Sequence, residues 1–424
     1  MKKLIILPLL IFLLPLQVRE RETAADATVF GVVTAPERRP LQALSEYIDS
    51  IQIRGQSPDD QGVLVETLDR GQPIAEHNAD VTFNPASVMK LATSLVALTS
   101  FGPDYRYRTN FLADGVLDPA SRTLDGNLVI EGNANPMFSL FDAQEVALQL
   151  SRLGVSRVTG GLRITGQFYY FATGYHSNLS PETSAAKLHA ALQKAGIRIE
   201  KPPVFGEKSG TILLSHYSDP LVSILLYQNA HSSNAVAEVV GASLGGPQVI
   251  QNYLVKRLGL SEGEIFVGRA SGLDFNRITP RASLKVLRAL VKVLTNHGLK
   301  AEDVMAVAGI DSGTLRTRLG DEAVRGSVIA KTGTLVSLDN GVSTLVGIAY
   351  TRAEGPLLFA VFNSGGNVHA YRRLQDQFIE QIIAETGGAL AAGRKEDALA
   401  DTTRHSIVQV LYRFDRQAAE TAAE

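Results

Sequence analysis

Cysteine is absent from this sequence. Its absence excludes disulfides, thiolate metal sites, a cysteine nucleophile and an N-terminal cysteine carrying a lipid. No basic stretch is interleaved with aromatics, and the formal net charge is only -2. Nucleic acid is therefore not an expected partner. The eight histidines are scattered, with no H-E-x-x-H pattern, and nothing calls for a metal or another cofactor. At the N-terminus, the apolar run from Leu4 to Leu16 in "MKKLIILPLLIFLLPLQ" falls short of the ~20 residues a spanning helix needs. Behind Lys2 and Lys3 it has the shape of a secretory signal. Ala25-Asp26-Ala27 offers small residues for cleavage, although beyond the charged "VRERET". Residues 1–27 are expected to be a signal peptide, or an uncleaved anchor giving weak membrane association. They should lie outside the fold of an exported, periplasmic or otherwise extracytoplasmic protein.

What is present is an ordinary globular composition, 45% hydrophobic and 20% charged, in a chain of 424 residues. That length predicts two or more domains. "LQALSEYIDSI" reads as a helix with Leu41, Leu44, Ile48 and Ile51 on one face. "GVLVETL" and "PIAEH" read as a hairpin about Asp69-Arg70-Gly71. A helix beginning near Pro85 follows. From 105 to 205 the texture changes to short strands with glycine and asparagine turns, interrupted by "DAQEVALQLSRLG" and "ETSAAKLHAALQKAG". This predicts a smaller α+β domain inserted into the first. Near the end "SVIAKTG", "VSTLVGIAYT" and "LLFAVFNS" are consecutive strands, closed by the helix "AYRRLQDQFIEQIIAETG". The expectation is an α+β fold: an antiparallel sheet flanked by helices from both chain ends, built from 41–104 and 206–388. Residues 389–424 form a tail in which "HSIVQVLYRFD" reads equally as a strand or a short amphipathic helix.

Three short motifs carry chemistry. Ser87 and Lys90 in "FNPASVMKL" share one helix face about a turn apart, so the amine can reach the hydroxyl. Near a helix N-terminus the positive end of the dipole disfavours an ammonium, which suits a base. The bland alternative is a serine near a helix start with a lysine reaching solvent. Ser232, Ser233 and Asn234 in "HSSNAV" supply a hydroxyl and a carboxamide, but such residues also cap helices and turns. Lys331, Thr332 and Gly333 in "SVIAKTGTLVS" offer a cation and a hydroxyl to an anion at a strand edge. There glycine leaves room for a ligand, or simply ends a strand.

Taken together and in this order, the three motifs resemble those of the penicillin-interacting serine acyltransferases. The finer resemblance is to the D-Ala-D-Ala carboxypeptidase/endopeptidase family, the low-molecular-mass class C penicillin-binding proteins. "RASGLDFNRITPRASL" and "VAGIDSGTLRTRL" also look like stretches of that family, and the long gap between Ser87 and Ser232 fits its inserted domain. The resemblance spans roughly 41–388 and implies a penicillin-binding, transpeptidase-like fold. It further implies a serine nucleophile at Ser87, a general base at Lys90, and a proton shuttle and amide contact at Ser232 and Asn234. Lys331, Thr332 and Gly333 would meet the terminal carboxylate of peptidoglycan stem peptides or β-lactams. The backbone N–H groups of Ser87 and Thr334 would form the oxyanion hole.

The sequence also departs from that pattern. Ser233 stands inside the second motif where aspartate is common. Asn135 in "EGNANPM" and Thr165 in "LRITGQFYYF" stand near positions where the family has aspartate. The resemblance assigns the second of these to the amine of a diaminopimelate side chain, so this chain is expected to read another side chain or to use another acid. Between Phe168 and Glu182 there is no room for a further inserted domain, which predicts a more open cleft. His231, beside the second motif, reads as a packing residue. Two other functions on the same fold are a β-lactamase or esterase, which would need a dedicated deacylating base, and a catalytically impaired peptidoglycan-binding scaffold.

Overall fold

The computed structural model describes residues 41–171, 180–400 and 405–412. The expected leader lies outside them, as does most of the Phe168–Glu182 link. Six strands form one antiparallel sheet in the order Ala306–Val307, Val328–Leu335, Val342–Thr351, Gly355–Asn363, Gln61–Thr67, Pro73–His77. Alternation along these strands feeds two separate cores. Leu64, Val346, Leu358 and Ala360 point to a core shared with the helices Lys90–Phe101 and Pro280–Asn296. Val63, Val65, Phe359 and Val361 point to the other, shared with the helices Gln42–Ile53 and Val368–Glu385. Both faces of the sheet are thus covered, which is why "GVLV" reads as an unbroken apolar run rather than an alternating one.

Helices from both chain ends pack on this sheet, as expected. The Tyr47 and Phe378 rings lie 5.0 Å apart, and the Glu385 carboxylate accepts the backbone N–H groups of Gln42 and Ala43 at 2.9 and 2.8 Å. That carboxylate answers two of the orphan donors that begin any helix. The buried stripe is Ala43, Tyr47 and Ile51. Leu44 and Ile48 lie beside it, half-buried.

The inserted domain has its own mixed sheet and core. Arg108–Asp118 pairs antiparallel with Thr123–Asn133, and Leu162–Gln167 runs parallel to the latter. The helices Leu140–Arg152 and Pro181–Lys194 share its core, through residues such as Val146, Leu150 and Leu188. The expected end of this domain at 205 falls short. Thr211–Tyr217 pairs with Arg108–Asp118 inside the same sheet, so the insertion runs to about Tyr217. The tail contributes as well: Ile407–Val410 is a strand, pairing with Leu214–Tyr217 at the sheet edge. Edge pairing explains why its sequence pattern is ambiguous, because only backbone groups need a partner there. No helix among the described residues is long and apolar enough to cross a membrane.

Candidate active site

Ser87 does not lie on the α-helix expected to begin near Pro85. Residues Ala86–Met89 form a 3-10 turn, and the α-helix starts only at Lys90. The tighter winding matters, because positions three apart eclipse in a 3-10 turn. Lys90 Nζ consequently lies 2.9 Å from Ser87 Oγ. The turn is set by its neighbours. Asn84 is buried, and its Oδ1 accepts the Ala86 N–H at 3.0 Å. Ala86 itself sits at φ +47°, a region a residue with a Cβ seldom occupies.

Two glycines make room for that turn. A Cβ on Gly333 would lie 2.1 Å from Thr344 Oγ1 and 2.6 Å from Pro85 O. A Cβ on Gly272, at φ +79°, would lie 1.8 Å from Ala86 O. The sequence reading left Gly333 either to admit a ligand or to end a strand. The space is instead filled by the chain's own serine loop, so the third motif and the "SGL" stretch clamp the Ser87 turn between them.

Lys90 is wholly buried. Its Nζ also lies 2.7 Å from Asn234 Oδ1 and 2.7 Å from Ser271 O. Burial pushes its pKa well below the ordinary lysine value, and the nearby charge of Lys331 pushes the same way, with Glu238 opposing. The chemistry follows from the partners. Asn234 Oδ1 and Ser271 O can only accept, whereas the Ser87 hydroxyl can also donate. A neutral amine spends its two N–H groups on the carbonyl oxygens, and its lone pair must then face the serine proton.

Lys331 is buried too. It donates to Ser232 Oγ at 2.9 Å and to Thr332 O at 2.7 Å, and burial lowers its pKa to about 7. Ser232 is held at φ +55°, just before the helix Asn234–Ser243, which Ser233 caps by accepting the Val236 N–H at 3.3 Å. Ser233 thus serves the backbone, and Ser232 and Asn234 flank it. Asn234 Oδ1 is engaged by Lys90, and Nδ2 can donate to a substrate. Thr334 Oγ1 accepts from Arg372 at 2.8 Å. His231 packs against Tyr227, with ring centroids 4.6 Å apart and the rings tilted by 39°.

Sequence reasoning assigned no role to Ser271, Gly272, Thr314 or Arg372, yet each touches a motif residue. Thr332 Oγ1 lies 2.9 Å from Thr314 Oγ1, and the Thr314 N–H donates to Ala230 O, two residues before Ser232, at 2.9 Å. Ser271, Gly272 and Thr314 belong to the "SGL" and "DSGTL" stretches already noted for their resemblance; Arg372 had no such signal. Thr165 lies half-buried in the inserted sheet, in register with Glu131. The Glu131 carboxylate is already held by Asn110 Nδ2 at 2.6 Å and Lys208 Nζ at 2.8 Å. Asn135 is buried, with its Oδ1 accepting the Met137 N–H at 3.0 Å.

A model of the D-Ala-D-Ala carboxypeptidase 3 (S13) family matches residues 44–178 and 173–385. Among solved structures, Bd3459, a predatory peptidoglycan endopeptidase from Bdellovibrio bacteriovorus, aligns with TM-score 0.66 at 22% identity, covering 79% of this chain and 95% of its own. Its penicillin G-acylated form, in complex with the immunity protein Bd3460, aligns with TM-score 0.68 at 22% identity over 82% and 99%. Penicillin-binding protein 4 (dacB) from Haemophilus influenzae, complexed with a β-lactam, aligns with TM-score 0.66 at 20% identity over 80% and 99%. At such identities these likenesses concern the fold.

Proposed function

The chain belongs to the D-Ala-D-Ala carboxypeptidase 3 (S13) family, serine hydrolases of peptidoglycan, and from that premise we propose that it is a serine D-Ala-D-Ala carboxypeptidase with endopeptidase activity on cross-linked stem peptides. The observation that carries the reading is the three-way bonding of the buried Lys90, which sets its Nζ 2.9 Å from Ser87 Oγ.

Lys90 takes the Ser87 proton as Oγ attacks the penultimate D-Ala carbonyl carbon. The backbone N–H groups of Ser87 and Thr334 receive the developing oxyanion, and such a donor is typically worth ~3–4 kcal/mol. The C–N bond breaks, the proton passes by way of Ser232 to the departing amine, and D-alanine leaves. Water then cleaves the acyl ester, returning the proton to Ser87. Lys331 and Thr332 hold the substrate's terminal carboxylate, and Asn234 donates to its amide oxygen. The carboxylate would also keep Lys331 charged, and that charge holds Lys90 neutral. A β-lactam enters the same way, with its lactam C–N bond breaking and the ring nitrogen taking the proton, but it remains tethered.

Export fits the N-terminal signal, and peptidoglycan is the polymer such a protein would meet. The short Phe168–Glu182 link favours bulky cross-linked substrates. The test is intact-protein mass after incubation with penicillin. A stable adduct on the wild type and none on Ser87→Ala is expected. No adduct on a folded wild type that also leaves the drug intact would overturn the reading in favour of a scaffold, and rapid drug loss would favour a β-lactamase. Release of D-alanine from pentapeptide, set beside cleavage of cross-linked dimer, separates the two peptidase activities. A protein that ignored the dimer would remove the endopeptidase part.

A further inference from the structure

The segment after the last helix fastens the loop that carries Thr314. Arg394 donates from Nη1 to Asp311 Oδ2 at 2.9 Å and from Nη2 to Glu302 O at 2.7 Å. Asp311 is wholly buried, and its carboxylate also accepts the N–H groups of Val307 at 2.7 Å and Ala398 at 3.1 Å. Asp397 then takes the next residue of the loop. Its Oδ1 accepts the Ser312 N–H at 3.0 Å, and its Oδ2 accepts the Ser312 hydroxyl and Arg316 Nη1, the latter at 3.0 Å.

The following two residues of the loop meet the active site. A Cβ on Gly313 would lie 2.2 Å from Ala230 O, and Thr314 donates to that oxygen while lying 2.9 Å from Thr332 Oγ1. One continuous path therefore runs from Asp397 through Ser312, Gly313 and Thr314 to Thr332, and through Ala230 to Ser232. Asp397 also acts by its charge on His231, beside Ser232. Beyond the loop, the His405 N–H donates to Asp219 Oδ1, just past the inserted domain, at 2.6 Å, and Ile407–Val410 joins that domain's sheet.

We infer that residues 394–399 are a positioning strap for the carboxylate-binding part of the site, with Asp397 orienting Ser312-Gly313-Thr314 so that Thr314 and Thr332 present a hydroxyl pair to a substrate carboxylate. The role of that pair rests on the function proposed above; the fastening of the loop does not. The strap acts on one half of the site only. Ser87 and Lys90 are held by Asn84, Asn234 and Ser271, none of which it touches. A fault in the strap should therefore spare the nucleophile and harm recognition of the anion.

The experiment compares full-length wild type, Asp397→Asn and Asp397→Ala. Two rates are measured: acylation by penicillin, which bears a carboxylate, and labelling of Ser87 by an alkyl fluorophosphonate, which bears none. For Asp397→Ala a roughly ten- to hundred-fold slower acylation by penicillin is expected, the scale of a misplaced contact. Asp397→Asn, which keeps an acceptor for the Ser312 N–H, should fall between. Fluorophosphonate labelling should stay within about two-fold of wild type. Equal losses with both reagents would mean general damage, and unchanged rates with both would mean no positioning; either overturns the strap. Hydrogen exchange reads the fastening without reference to function: amides of 307–316 should exchange faster in Asp397→Ala. If wild type forms no penicillin adduct, the proposed function fails while this exchange result still decides whether the loop is fastened. Unchanged exchange there refutes the strap.

Discussion

Lys331 donates to Ser232 Oγ at 2.9 Å, across 99 positions of sequence, and so joins the third motif to the second. Lys90 joins the second to the first through Asn234 Oδ1 and Ser87 Oγ. The result is a site with two wholly buried amines, neither of which has a carboxylate among its hydrogen-bond partners within the described residues. Burying two ammonium ions together is costly unless a proton is given up. Burial favours the neutral form of both, and the charge of Lys331 adds to this at Lys90; an anion bound at Lys331 would keep the charge there.

Acylation by penicillin should follow a bell-shaped pH profile in the free protein. The rising limb reports loss of the Lys90 proton, well below the ordinary lysine range. The falling limb reports loss of the Lys331 charge, centred near pH 7 in the empty site. Because the two amines interact, both limbs belong to the pair. A neutral ester without a carboxylate should lose the falling limb and keep the rising one. Identical profiles for both reagents would show that Lys331 does not serve the carboxylate.

Lys331→Met should abolish acylation yet stabilise the fold at neutral pH. The folded state holds the Lys331 pKa near 7, while in the unfolded chain it returns to about 10.4. Between those values the unfolded chain binds the extra proton, so wild-type stability rises with pH, by up to ~1.4 kcal/mol per pH unit for this group. Below pH 7 the full cost of the buried charge is present. Urea unfolding at pH 7 and pH 9 measures it: wild type should gain on Lys331→Met as pH rises. Equal pH slopes in the two proteins would show that Lys331 is not forced toward neutrality.

Gly333→Ala tests the clamp on the serine turn. Its new methyl would meet Thr344 Oγ1 and Pro85 O, one a side chain within a sheet and the other backbone. Overpacking of this kind typically costs ~1–3 kcal/mol. The loss of acylation should be out of proportion to the loss of stability, because the displaced atoms carry Ser87. A variant with wild-type labelling by fluorophosphonate would mean that the turn is held elsewhere.

The sheet, its covering helices and the three motifs were legible because each has a local signature. Alternation marks the strands, and "S-x-x-K" and "K-T-G" are contiguous. The rest depends on distant pairings that leave no period in the sequence. Residues 211–217 read as any short strand, and only their pairing with Arg108–Asp118 assigns them to the inserted domain. Ser87 was placed on an α-helix because Pro85 suits a first helical turn. The 3-10 turn arises from the Asn84 side chain and from two glycines supplied by other parts of the chain. Thr314 reads as a loop threonine until Ala230 and Thr332 are brought beside it.

Asp142 should hold the inserted domain together in a pH-dependent way. It is buried; its Oδ2 accepts the N–H and hydroxyl of Ser139 at 2.8 and 2.7 Å, and its Oδ1 lies 2.9 Å from His216 Nε2. It thereby ties the start of the helix Leu140–Arg152 to the strand Thr211–Tyr217. Burial would raise its pKa, but the bond and charge of His216 and the bonds of Ser139 outweigh that and hold it at about 2. A carboxylate depressed in this way contributes stability in full above its unfolded value, near 3.9, and loses it as pH falls toward 2. Asp142→Ala should therefore cost ~3 kcal/mol near neutrality, the scale of removing one partner from a buried pair. The gap from wild type should narrow below about pH 4, in urea unfolding followed down from neutrality. Labelling of Ser87 should be unaffected while the protein is folded, since none of these groups bonds to the site. A gap that did not narrow as pH fell below about 4 would show that the Asp142 charge contributes nothing beyond packing.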